Sequence, residues 1–191
     1  MKFLWSVLVL SGVSLAAALT LPGLSDWALL AAPCLIASAW LLLRGRGGAP
    51  AIVVVDGSNV MHWGGGEPSL APVRAVVASM KAGGFRPCVI FDANAGYRLE
   101  GRYRGDRALA RMLGLPERGV MVVPKGTPAD PYILQTARNL GARVVSNDRY
   151  RDWAADYPEV QGGDLLVRGG YRDGELWLDE AEFGQGKSAR N

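Results

Sequence analysis

The chain has 191 residues, enough for one domain with a sizeable core, and a formal net charge of +3. Setting aside Lys2, Asp26, Arg44 and Arg46 leaves 18 basic against 17 acidic side chains, which excludes a broad basic footprint and leaves only a local patch to meet a polyanion. Two cysteines, Cys34 and Cys88, both in apolar stretches, exclude a disulfide framework or a zinc site.

In chain order, the first elements are two charge-free runs, Phe3 to Leu21 and Trp27 to Leu43, joined by "PGLSD". Each approaches the roughly 20 residues that a helix needs to cross a bilayer. Trp5, Trp27 and Trp40 suit interfacial positions. Residues 1–43 are therefore expected to be a membrane-anchoring hairpin of two transmembrane helices. Lys2 before it and Arg44 and Arg46 behind it place both outer ends in the cytoplasm. Two other readings stand beside this one: a signal peptide over Met1 to Ala18, or a buried helical pair. The glycine-rich stretch 44–50 reads as a linker.

Strands and helices then alternate. "IVVVD", Ile52 to Asp56, is a β-branched run suited to a strand buried on both faces, ending in a carboxylate. Gly57 is expected to permit a sharp turn there. Leu70 to Ala82 is predicted helical, with Pro72 in its first turn and Gly83 as its stop. A strand over Pro87 to Phe91 and a helix over Asp106 to Leu113 follow. Next come a strand over Val120 to Val123 and a helix over Pro128 to Leu140, closed by Gly141. The pattern continues with a strand over Arg143 to Val145 and a helix beginning in Arg149 to Ala155. Leu165 to Val167 and Glu175 to Leu178 read as a terminal hairpin around "GGYRDG". Residues 184–191 are polar and read as a disordered tail. Such alternation implies a parallel sheet covered by helices on both faces.

In sheets of this kind, chemistry gathers outside the carboxyl ends of the strands. Asp56 lies at one such end, Asp92 at another, Asp130 in the first turn of a helix after the third strand, and Asp148 just beyond the fourth. Asp152, four residues later, would share a helical face with Asp148. Each acid also has an ordinary explanation: Asp130 and Asp148 as helix caps, Asp56 and Asp92 as turn formers, Asp152 as a solvated residue. Together they would form a negative pocket that a cation must compensate, and oxygen ligands favour Mg2+ or Mn2+. His62, the single histidine, lies close to the first motif, beside a glycine-rich loop.

"VVVDGSNV" followed by "VVSNDRYRDW" resembles the NYN ribonucleases of the Regnase (MCPIP) type, in the PIN-like superfamily, over roughly Ala51 to Tyr157. The resemblance implies a PIN-like α/β fold, a parallel sheet sandwiched by helices, over residues 51–183. The N-terminal transmembrane hairpin would precede it. It also implies divalent-metal-dependent endonucleolytic cleavage of RNA. Asp56, Asp130, Asp148 and Asp152 match the acidic metal-site residues, and Asn59 the polar residue beside them. Ala129 stands where the family often has a second adjacent acid. The expected partners are RNA, single-stranded or stem-loop, and a lipid bilayer; an oligomer is left open. The expected location is a bacterial inner membrane, multi-pass, with the catalytic domain cytoplasmic. Arg98, Arg102 and Arg104, with Tyr97 and Tyr103 between them, and Lys125, Arg149 and Arg151 are candidate contacts for phosphates and unpaired bases. The alternative is a membrane-tethered RNA-binding or scaffold module with weak or no catalysis. A phosphatase ranks below both, because no DxDx[ST] motif is present.

Overall fold

The computed structural model describes residues 2–21, 23, 25–45 and 50–179. The linker residues 46–49 and the tail expected over 184–191 lie outside them. The chain divides into two units, Met1–Pro50 and Ala51–Asn191.

The first unit is a helical pair, α1 (Lys2–Thr20) and α2 (Ala28–Gly45). Among the described residues, Ser11, Ala18, Ala31 and Ser38 are the buried ones of this unit, small enough for the helices to approach closely. Ser38 Oγ satisfies itself within α2 by donating to the Cys34 carbonyl at 2.7 Å. Among the described residues, no helix is long and apolar enough to cross a membrane. The physical reason is length: without Lys2, α1 offers 18 uncharged residues, and α2 offers 16 before Arg44, with Pro33 inside it. At about 1.5 Å per residue both fall short of a hydrocarbon core of about 30 Å. The expected transmembrane hairpin, the multi-pass inner-membrane location, the cytoplasmic placement derived from it and the bilayer as a partner are corrected accordingly.

The second unit is built on β1 (Ile52–Asp56), the middle strand of a five-stranded parallel sheet. Its other strands are β2 (Arg86–Phe91), β3 (Val120–Val122), β4 (Arg143–Val145) and β5 (Leu166–Val167), in the order β3-β2-β1-β4-β5. Successive side chains of a strand point to opposite faces. Val53, Val55, Val89 and Phe91 accordingly pack on one side with α4 (Leu70–Ala82) and α6 (Asp106–Leu113). Val54, Ile90 and Val144 pack on the other with Ile133, Leu134 and Ala137 of α7 (Ala129–Leu140). A strand covered on both faces has no place for alternation with polar residues, which is why "IVVVD" is continuous.

Three expectations change. Leu166–Val167 joins the main sheet beside β4, and the hairpin is instead β6 (Gly169–Arg172) with β7 (Glu175–Leu178). The helix expected from Arg149 is a single 3-10 turn, Arg151–Trp153, because Tyr150 has φ +48°, which breaks a right-handed helix. Asp148 and Asp152 therefore share no helical face. Two short helices escaped the sequence pattern, α3 (Gly57–Val60) and α5 (Ala95–Glu100).

Candidate active site

The chain leaves β1 toward β2 and β3 on one side, then returns to add β4 and β5 on the other. This reversal makes the crevice between the carboxyl ends of β1 and β4 the place where an open α/β sheet accepts a ligand. Asp56 ends β1 and is only 5% exposed. It does cap a helix: one oxygen accepts from the Asn59 backbone N–H of α3 at 3.0 Å. Its other oxygen accepts two buried hydroxyls, Ser146 Oγ at 2.9 Å and Tyr150 Oη at 2.8 Å. Gly57 is required by close approach rather than by a turn. A Cβ there would stand 2.5 Å from the Phe91 ring.

Ser146 and Tyr150 are the residues that the sequence reading missed. Ser146 Oγ also receives the Asp148 backbone N–H at 3.0 Å, and Asp148 Oδ1 receives the Tyr150 N–H at 2.9 Å. Asp56 and Asp148 are thus linked through two shared residues. Both fall within the string "SNDRYRDW", but a serine and a tyrosine are signals only once the strands are ordered. Asn59 lends its carbonyl oxygen to Trp63 Nε1 at 2.8 Å and to the Asn147 N–H at 3.0 Å. This fixes the amide plane and leaves Nδ2 as a donor.

Burial pushes the Asp56 carboxyl up to about 6, against the pull of its three hydrogen bonds, and Asp130 adds to the rise. The Asp130 carboxyl is also raised, first by burial and then by Asp148, Asp92 and Asp152, while the Trp153 indole N–H, 3.1 Å away, opposes the rise. The Tyr150 hydroxyl is held well above its ordinary range by burial and by Asp56, so it stays a proton donor. Asp56, Asp130, Asp148, Asp152 and Asp92 therefore share one electrostatic neighbourhood. Among the described residues, no three His, Cys, Asp or Glu side chains close into a metal cage. Mg2+ is ordinarily held through one or two carboxylates, with waters and substrate phosphates completing its shell, and this oxygen-only set has that chemistry.

Two clefts flank the acids, one on each side, near the carboxyl ends of the strands. Beyond β2 and β3 lies one of about 780 Å³, lined among others by Asn94, Tyr97, Tyr103, Arg107 and Lys125. Tyr97 and Tyr103 are 55% and 61% exposed. Of the arginines beside them, Arg98 is exposed, whereas Arg102 and Arg104 are ion-paired with Glu100, Arg102 at 3.6 Å. Beyond β4 and β5 lies one of about 380 Å³ containing Arg149 and Arg151. His62 is exposed and forms the turn after α3 through its backbone alone, its N–H donating to the Asn59 carbonyl.

Residues 50–162, more than half of the chain, match the family model described as the Zc3h12a-like Ribonuclease NYN domain. The chain belongs to this NYN ribonuclease family. No curated protein matches it. Among solved structures, the NYN domain chain is similar to nuclear proteinaceous RNase P 2 (PRORP2) from A. thaliana. The TM-score is 0.53 and the identity 19%, over 93% of this chain and 35% of that one, a likeness of fold. A second structure of Arabidopsis thaliana PRORP2 aligns with 81% of this chain and 35% of its own length, at 19% identity and a TM-score of 0.47. The chain thus spans about a third of the length of these relatives.

Proposed function

We propose that this NYN domain is a divalent-metal-dependent endoribonuclease whose reaction centre is the crevice of Asp56, Asp130, Asp148 and Asp152. The observation that carries the reading is Asp56. A carboxylate buried at the β1/β4 switch point, with further acids facing it, is costly to the fold unless a cation compensates it. Asp56, Asp130 and Asp148 would hold the ion. A bound Mg2+ or Mn2+ supplies Lewis-acid polarisation of a phosphate oxygen and a more acidic water.

The chain's own residues do the positioning. Ser146 and Tyr150 hold the Asp56 carboxylate by the oxygen that does not cap α3. Trp153 orients Asp130. Asn59 Nδ2 donates to the substrate phosphate, its carbonyl side being occupied by Trp63 and Asn147. Asp152, exposed at the rim, orients the attacking water. In-line attack on phosphorus expels the 3′-oxygen and leaves a 5′-phosphate on the product.

A second reading, an RNA-binding module with weak or no catalysis, draws on Ala129. This residue packs against the core at the position where an acid often stands in relatives. One experiment separates the two. The full chain is incubated with single-stranded and hairpin RNA in Mg2+, in Mn2+ and in EDTA, beside its Asp56→Asn variant. Cleavage that needs the metal and is lost in the variant supports the enzyme. RNA binding without cleavage by the wild-type chain supports the module.

A further inference from the structure

The cleft beyond β4 and β5 is lined by Arg149, Arg151, Ala154, Val160, Gln161 and Arg168, with no acidic side chain among them. Arg149 and Arg151 interleave with Asp148 and Asp152 in sequence. Yet among the described residues, the ion pairs involve only Arg102, Arg104, Arg107 and Arg138. No acidic side chain among the described residues pairs with the three cleft arginines. Arg168 is held in place. Its Nη1 donates to the Asn147 carbonyl, and the Asn147 side chain grips the Gly169 backbone at both ends, Nδ2 to O at 2.7 Å and N to Oδ1 at 3.2 Å. The same Asn147 donates its backbone N–H to Asn59. One asparagine thus ties the arginine cleft to the acidic crevice.

We propose that Arg149, Arg151 and Arg168 bind a phosphate of the RNA strand outside the scissile linkage, an inference that rests on the ribonuclease reading. A guanidinium presents a planar fork that matches phosphate oxygens, and three of them around one cleft suit a single phosphate group. Ala154 and Val160 give the cleft an apolar wall on which a sugar can rest. The acids need a cation and the arginines need an anion, and a metal together with a strand passing along the sheet edge supplies both. Arg168 escapes a reading of the sequence because its place beside Arg149 and Arg151 exists only once β5 has paired with β4.

The test is the salt dependence of binding. The full chain in EDTA is titrated with a labelled single-stranded RNA over a range of KCl, with the phosphate either internal only (5′-hydroxyl) or also terminal (5′-phosphate). Arg149→Ala/Arg151→Ala/Arg168→Ala should weaken binding at least tenfold at low salt. The slope of log K against log salt should become shallower by about 0.7 for each phosphate that is no longer neutralised. Arg168→Lys should fall between, and Arg118→Ala, exposed at the opposite edge of the sheet, should match wild type. With Mg2+, KM should rise while kcat at saturating RNA stays within a few-fold. Equal losses for the two RNAs place an internal phosphate in the cleft; a loss confined to the 5′-phosphorylated RNA places a terminal one there. If the triple variant misfolds, Arg149→Ala, at an exposed position, carries the same test. Unchanged affinity and slope in a folded variant of a chain that cleaves RNA would sink the cleft and leave the nuclease. Arginine-dependent binding by a chain that never cleaves would sink the nuclease and leave the cleft.

Discussion

Asp56→Asn removes one buried charge and little else, so its effect can be worked out in sign and size. The carboxyl is 5% exposed, and its pKa stands near 6 in the fold against 3.8 ordinarily. At about 1.36 kcal/mol per pKa unit, the ionised group costs the metal-free fold about 3 kcal/mol relative to the unfolded chain. A folded-state pKa above the unfolded value means that stability is full below about pH 4 and falls as pH rises through about 6. Asparagine never ionises, so the variant lacks this decline. It keeps a carbonyl for the Asn59 N–H and presents an amide to two hydroxyls that can turn to accept, at a cost of about 1 kcal/mol. In EDTA, melting temperatures of wild type and variant are compared from about pH 4 to about pH 8. Wild type should lose roughly 6–12 °C relative to the variant across that range. Millimolar Mg2+ at about pH 7.5 should restore wild type and leave the variant where it was. Parallel curves for the two proteins, or an equal response to Mg2+, would refute the account of Asp56 as an uncompensated buried charge that awaits a cation.

Asp130→Asn and Asp148→Asn should reduce RNA cleavage by orders of magnitude while circular dichroism and melting temperature stay near wild type; a capping role alone would cost folding about 1 kcal/mol and leave cleavage intact. Tyr150→Phe keeps the buried ring and deletes only the hydroxyl on Asp56, so it should fold with a loss of about 1 kcal/mol and need more Mg2+ for half-maximal cleavage. An unchanged Mg2+ requirement would show that the hydroxyl does not position Asp56. Gly57→Ala forces a methyl group against the Phe91 ring and should cost about 1–3 kcal/mol by denaturant unfolding, with part of the loss recovered by a second change, Phe91→Leu.

What the sequence determined by itself was whatever depends on local chemistry. The period of the apolar residues and the positions of Gly83 and Gly141 mark α4, α6, α7 and β4 at or within a residue of their bounds. The runs "VVVDGSNV" and "VVSNDRYRDW" carried the family, and they carried the acids as a set. Local reading failed where a distant partner decides. Leu166–Val167 became a strand of the main sheet because β4 offers it an edge. Tyr150 takes a left-handed conformation that places its ring in the core and its hydroxyl on Asp56, an outcome that no spacing rule contains. The absence of charge in the two N-terminal helices points to membrane spans, whereas the helix bounds, with Lys2 at one start and Pro33 and Arg44 in the other, shorten what each can offer a bilayer. The pKa of Asp56 belongs to the same class. Its residue type is local, but the burial that lifts it and the hydroxyls that hold it come from β1 lying beside β4, strands far apart in the sequence and adjacent only in the folded sheet.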